Sequence, residues 1–130
     1  LRVLVCGGRD YSDAKAAYAV LDKLNSFRKI EGVIQGSARG ADLLGKMWAL
    51  SRRVPCYAFP ADWERYGKSA GPIRNQQMLD EGKPDLVIAF PGGRGTADMV
   101  RRSKSRGVRV IQISGQGSAP VFKWSSQENA

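Results

Sequence analysis

The chain has 130 residues, 42% of them hydrophobic, which is material for one core and too little length for two domains of ordinary size. Its 21 Lys and Arg against 12 Asp and Glu leave a formal charge of +9, which favours an anionic partner such as a nucleotide or a nucleic acid. Histidine is absent, which removes Ser-His triads, histidine bases and most zinc sites; no metal or cofactor is expected, and any catalysis must run on carboxylates, arginines, lysines, hydroxyls or backbone.

In chain order, LRVLVC reads as the first strand and GGRDYSD as a loop ending in helix-capping residues. A helix follows over about Ala14 to Arg28, with Ala17, Leu21, Leu24 and Arg28 on one face and Tyr18, Val20 and Phe27 widening it. GVIQG is a short second strand, SARG leads into a helix over about Ala41 to Arg52, and PCYAF is the third strand. PADWERYGKSAG reads as the longest irregular piece, before a polar helix opening at Pro72, since proline is tolerated in a first turn. DLVIAF is a fourth strand continuous enough to be buried on both faces, and Thr96 to Arg106 is a helix closed by Gly107. VRVIQI is the fifth strand, ending an expected domain of residues 1–113, and the tail 114–130 brings Val121, Phe122 and Trp124 as candidates for docking on the body. Cys6 and Cys56 each sit in or beside an apolar run and read as reduced core thiols. Apolar runs stop at about six residues against the roughly 20 that span a bilayer, and no basic-then-apolar leader precedes the first strand, so a cytoplasmic protein without membrane contact is expected.

Regular strand-helix alternation predicts an α/β fold, a doubly wound, mainly parallel five-stranded sheet flanked by helices. Such sheets bind ligands at the carboxyl ends of their strands, where strand order reverses. The glycines of this chain concentrate there: GGRD follows strand one, GSARGAD strand two and PGGRGT strand four. A Gly-rich turn lets backbone amides approach an oxyanion, and the helix N-terminus behind it adds unpaired N–H groups and a positive dipole end. Gly92, Gly93, Arg94, Gly95 and Thr96 therefore read as a phosphate cradle, the alternative being a plain strand-to-helix turn. The G-x-G-x-x-G dinucleotide fingerprint is absent from this turn and from the first loop.

Around the cradle, Gly7, Gly8, Arg9 and Asp10 line the first loop, and Gly36, Ser37, Arg39, Gly40 and Asp42 the second, as candidate contacts to sugar or phosphate. Trp63 and Tyr66 offer rings to stack a base and Lys68 a cation for phosphate, although the same aromatics serve equally as anchors for their segment. Arg74 suits bidentate phosphate binding, and Asp98, on the first turn of its helix, suits a ribose hydroxyl or a water. The basic run RRSKSRGVR is either a solvated helix face or a stripe for nucleic acid.

Taken together and in this order, CGGRDY, GSARGADLLG, FPADWERYGKSAGPIRNQQM and FPGGRGTADM resemble the YspA-like branch of the SLOG superfamily, from about Val3 to Ile113. The resemblance implies a Rossmann-like fold and binding of nucleotides or nucleotide-derived ligands. The superfamily includes the Lonely Guy phosphoribohydrolases and DNA-processing protein A, which handles single strands. Lonely Guy enzymes carry a P-G-G-x-G-T turn followed by an acidic pair, and an upstream arginine four residues before a methionine. Pro91 to Thr96 match the turn, and Arg74 with Met78 the upstream spacing; Asp98 stands at the first acid and Met99 replaces the second. By analogy a homodimer is implied.

Three functions follow as expectations. The first is a binding or sensing module for a nucleotide or nucleotide-derived small ligand. The second is a metal-independent phosphoribohydrolase with Arg74 and Asp98 as catalytic residues. The third is a binder of single-stranded nucleic acid.

Overall fold

A computed structural model describes residues 1–114. Val121, Phe122 and Trp124, whose docking the sequence suggests, lie outside them. The order of elements is β1 (Arg2–Cys6), α1 (Ala14–Phe27), β2 (Gly32–Gln35), α2 (Ala41–Arg52), β3 (Cys56–Ala58), α3 (Trp63–Tyr66), a 3-10 turn (Gly67–Ser69), α4 (Ala70–Gln77), a π turn (Met78–Gly82), β4 (Leu86–Ala89), α5 (Arg94–Arg106) and β5 (Arg109–Gln112).

The five strands form one sheet in the order β3-β2-β1-β4-β5, every neighbouring pair parallel. Strand order reverses between β1 and β4, so the loops after these two strands part at that point and leave room between them. The architecture is Rossmann-like and doubly wound, as the alternation of the sequence predicts.

Side chains of β1 and β4 alternate between two cores. Val3, Val5, Leu86 and Ile88 point to the face covered by α1 and α2, joining Leu21, Leu24 and the fully buried Trp48. Leu4, Cys6, Val87 and Ala89 point to the other, joining Met78, Leu79, Met99 and Val100. The two-residue period of buried strands therefore supplies both faces at once, which is why DLVIAF carries no polar position after its first residue.

Two expectations need correction. Helix α1 buries Ala17, Val20, Leu21 and Leu24, but it ends at Phe27, whose side chain is 64% exposed; Arg28 turns to extended backbone as the cap and leaves the core face. The segment after β3 is not irregular. Asp62 caps α3 by accepting from the Arg65 N–H at 3.1 Å, and the 3-10 turn runs directly into α4, which begins two residues before Pro72. Asp62 is a good N-cap residue at the start of a segment otherwise too polar to register as helical.

Candidate functional site

A cleft of about 890 Å³ opens at the carboxyl ends of β1 and β4, walled by the first loop, the α3–α4 segment and the N-terminus of α5. Its geometry starts with backbone bonds that stitch three Gly-rich loops together. The Gly8 N–H donates to the Pro91 carbonyl at 2.8 Å, and the Gly8 carbonyl accepts from the N–H groups of Tyr11 and Ala41, each at 3.2 Å. Such approaches exclude side chains: a Cβ on Gly8 would stand 3.0 Å from the Pro91 oxygen, and one on Gly92 2.7 Å from the Gly8 nitrogen. Gly40 adds a positive φ of 79° as the residue that caps α2.

Gly93 and Gly95 differ from those glycines. A Cβ on either would meet no atom within 4 Å, neither has a positive φ, and both line the cleft. Helix α5 begins at Arg94, two residues earlier than the sequence suggests, so Gly95 and Thr96 belong to its first turn and Asp98, expected there, falls in the second. Gly93 is the N-cap and supplies no side-chain hydrogen bond, which leaves the first N–H groups of α5 without a helical partner or a capping side chain. Arg94 and Lys68, both exposed on the cleft wall, have no ion-pair partner among the described residues.

Beneath this rim lies a chain of polar contacts. Asp42, 6% exposed, accepts at Oδ2 from the N–H groups of Gly36 and Ala38, both at 3.2 Å. Arg74 donates through Nη1 to the Gly36 carbonyl and through Nε to Asn75 Oδ1 at 3.1 Å. Asn75, 4% exposed, donates to the Gly95 carbonyl at 3.2 Å and to Asp98 Oδ2 at 3.0 Å. Asp98 also accepts from Arg102 Nε at 2.8 Å and from Arg101.

The electrostatics follow burial. Desolvation pushes the Asp42 carboxyl above its ordinary range, against the bonds from Ala38 and Gly36 and the charge of Arg74. Desolvation likewise lowers Arg74, with Asp42 opposing and Arg9 adding to the shift. For Asp98, burial is the largest single influence and acts upward, but the bonds from Asn75 and Arg102 and the charges of Arg102 and Arg101 together hold it below the usual carboxylate range. Burial pushes the Cys6 thiol, at the cleft floor, far up, so it stays protonated. Cys6 and Cys56 are both free thiols; Cys56 is only half-buried.

The structure gathers Gly7, Gly8, Arg9, Asp42, Trp63 and Lys68 in the lining of the cleft. Arg74, Gly93, Arg94, Gly95, Thr96 and Asp98 line the same cleft. The remaining candidates stand back from it. Arg39 and Asp10 pair with each other at 3.4 Å on the exposed outer surface. Ser37 is exposed, with a φ of 62° and its N–H held by Gln35 Oε1 at 2.6 Å. Gly36 and Gly40 serve loop packing, and Gly92 lines a smaller hollow beside β5. Trp63, 48% exposed, lies under the Arg9 guanidinium at 5.4 Å, while Tyr66 pairs with Arg65 and does not line the cleft.

Asn75 is the residue that reading the sequence misses. The signal was the polarity of IRNQQM: a helix with so little apolar surface must bury polar side chains on polar partners, and Asn75 sits beside Arg74 on it. Met99, in place of a second acid, is 1% exposed and belongs to the core.

Comparison with known proteins adds family and fold. A model of the YspA, cpYpsA-related SLOG family matches residues 1–66. The chain is 37% identical to the Gene 61 protein of Mycobacterium phage D29, over 86% of this chain and 95% of that one. Among solved structures, DNA processing protein A from Streptococcus pneumoniae shares the fold with a TM-score of 0.70 at 22% identity, covering 89% of this chain. This chain spans 50% of that protein's length. No helix among the described residues is long and apolar enough to cross a membrane.

Proposed function

The chain belongs to the YspA, cpYpsA-related SLOG family, and we propose that its cleft binds a nucleotide or nucleotide-derived ligand with the phosphate at the N-terminus of α5. The observation that carries this reading is the pair Gly93 and Gly95. The neighbouring glycines are filled by packing partners, whereas these two leave open space in front of unpaired helix N–H groups. Arg94 and Lys68 supply cations at the same rim. The ring of Trp63 offers an aromatic face to a base, already topped by Arg9.

Binding without turnover is favoured over hydrolysis by the state of the two candidate catalytic residues. Arg74 is committed to Gly36 and Asn75, and Asp98 to Asn75, Arg101 and Arg102. The nucleic-acid reading draws on the solved neighbour, which is named as a DNA processing protein, and on the basic face of α5. Against it, Arg101 and Arg102 share Asp98 and Arg106 pairs with Asp80, so two carboxylates offset part of that positive charge within the molecule.

A thermal-shift screen with nucleoside monophosphates, ADP-ribose, cyclic nucleotides and short single-stranded DNA tests the reading. A ligand at a hundred times its dissociation constant adds about 2.7 kcal/mol. The expected result is stabilisation by a nucleotide that stays intact on incubation. Released base would move hydrolysis to the front, and a shift with DNA alone would overturn the cleft as the site.

A further inference from the structure

Asp42 has one oxygen to spare. Its Oδ2 takes both the Gly36 and Ala38 N–H groups, whereas Oδ1 accepts no hydrogen bond among the described residues. The residue is only 6% exposed and lines the cleft. A buried carboxylate oxygen without a donor is costly, and a bound donor would relieve that cost. Arg74 does not supply it: the two residues interact through their charges but meet Gly36 rather than each other. Helix α2 fixes the position, since Asp42 lies in its first turn.

On the reading that phosphate sits at Gly93 and Gly95, a second contact point in the same cleft constrains the rest of the ligand. An anion at α5 leaves the rest of the molecule to meet Asp42, which lines the same cleft. Neither an ionised phosphate nor an apolar group carries a donor, so either would leave Oδ1 unpaired. We propose that Asp42 accepts a hydrogen bond from a ribose hydroxyl, so that the site selects phosphorylated ribosides over their deoxy counterparts. Asp42 is then a specificity-determining residue with no part in bond breaking.

The test compares AMP, 2',3'-dideoxy-AMP and inosine monophosphate on the wild type and on Asp42→Asn by titration calorimetry. Asparagine keeps an oxygen for the Gly36 and Ala38 N–H groups while presenting a neutral amide in place of the free Oδ1. The expected result is that wild type binds AMP about tenfold or more tighter than the dideoxy compound, the range for a hydrogen bond to a charged acceptor. In Asp42→Asn that gap shrinks to within about threefold, because the group then facing the hydroxyl is an NH2, which donates and cannot accept the hydroxyl's hydrogen bond. Affinity for the dideoxy compound is unchanged, which also shows the variant to be folded. Should Asp42→Asn not fold, Asp42→Glu, which keeps the charge and displaces it by one methylene, is expected to narrow the gap in the same way.

Equal binding of AMP and dideoxy-AMP by the wild type would overturn the hydroxyl assignment while leaving the phosphate cradle standing. A gap that survives in the variant would overturn the role of Asp42. A loss on replacing AMP by inosine monophosphate, with no dideoxy effect, would assign the donor to the base and overturn the ribose choice. If none of the three bound, the cradle itself would fail and this inference with it.

Discussion

Asp42 and Arg74 both hold Gly36: the carboxylate accepts from its N–H at 3.2 Å and the guanidinium donates to its carbonyl. The two charges, carried on α2 and α4 from opposite faces of the sheet, thus meet across a single residue at the end of β2.

Gly36→Ala should break that grip. A Cβ there would lie 2.8 Å from the Arg74 guanidinium carbon and 2.9 Å from Asp42 Oδ2, so one or both charges must move. Overpacking of this kind costs about 1–3 kcal/mol. Denaturant unfolding should show the loss as a lower midpoint with an unchanged slope.

Gly95→Ala should have the opposite effect on stability. The position is helical and a Cβ would meet nothing, so alanine should add about 0.5–1 kcal/mol through helix propensity. Affinity for a phosphorylated ligand should fall at the same time, since the methyl occupies the open side of the cradle. Melting temperature and titration on one sample check both; a more stable variant with unchanged affinity would remove Gly95 from the site.

Asp98→Asn should destabilise the protein at neutral pH and matter little in acid. The folded carboxyl is held below its ordinary value, so its contribution is fully present above the unfolded pKa of about 3.9 and is lost as pH falls through the lower folded value. With its side chain 15% exposed, the loss at pH 7 should be about 1–3 kcal/mol. Asp42 runs the other way: burial raises it, so the fold favours its neutral form, and the cost of ionising it grows as pH rises between the unfolded and folded values. Thermal unfolding of wild type and Asp98→Asn should show a gap in melting temperature that is constant near neutral pH and narrows as pH falls below about 3.9.

The fold was legible because buried strands and amphipathic helices leave opposite periodicities. DLVIAF can hardly be anything but a central strand, and the glycines after strands one, two and four mark the carboxyl edge from their positions in the chain alone. What stayed hidden were partnerships between polar groups. Nothing in the spacing says that Asn75 bridges Arg74 to Gly95 and Asp98, because those residues meet only after α4 and α5 pack side by side. Nor does composition separate a glycine needed for close packing, such as Gly8 or Gly36, from one that keeps space open, such as Gly93 or Gly95. The helical turns at Trp63 were missed because a four-residue helix is too short to display a period.

Phosphate recognition in the cleft is best tested by a calorimetric titration of the strongest-binding nucleotide from the screen, and of the same nucleoside without its phosphate, into wild type and Arg94→Ala. Wild type should bind the nucleotide saturably and the nucleoside at least about tenfold more weakly, and the loss on Arg94→Ala should be confined to the phosphorylated compound. Nucleotide and nucleoside binding with equal affinity, or an Arg94→Ala variant indistinguishable from wild type, would contradict a phosphate site at the N-terminus of α5.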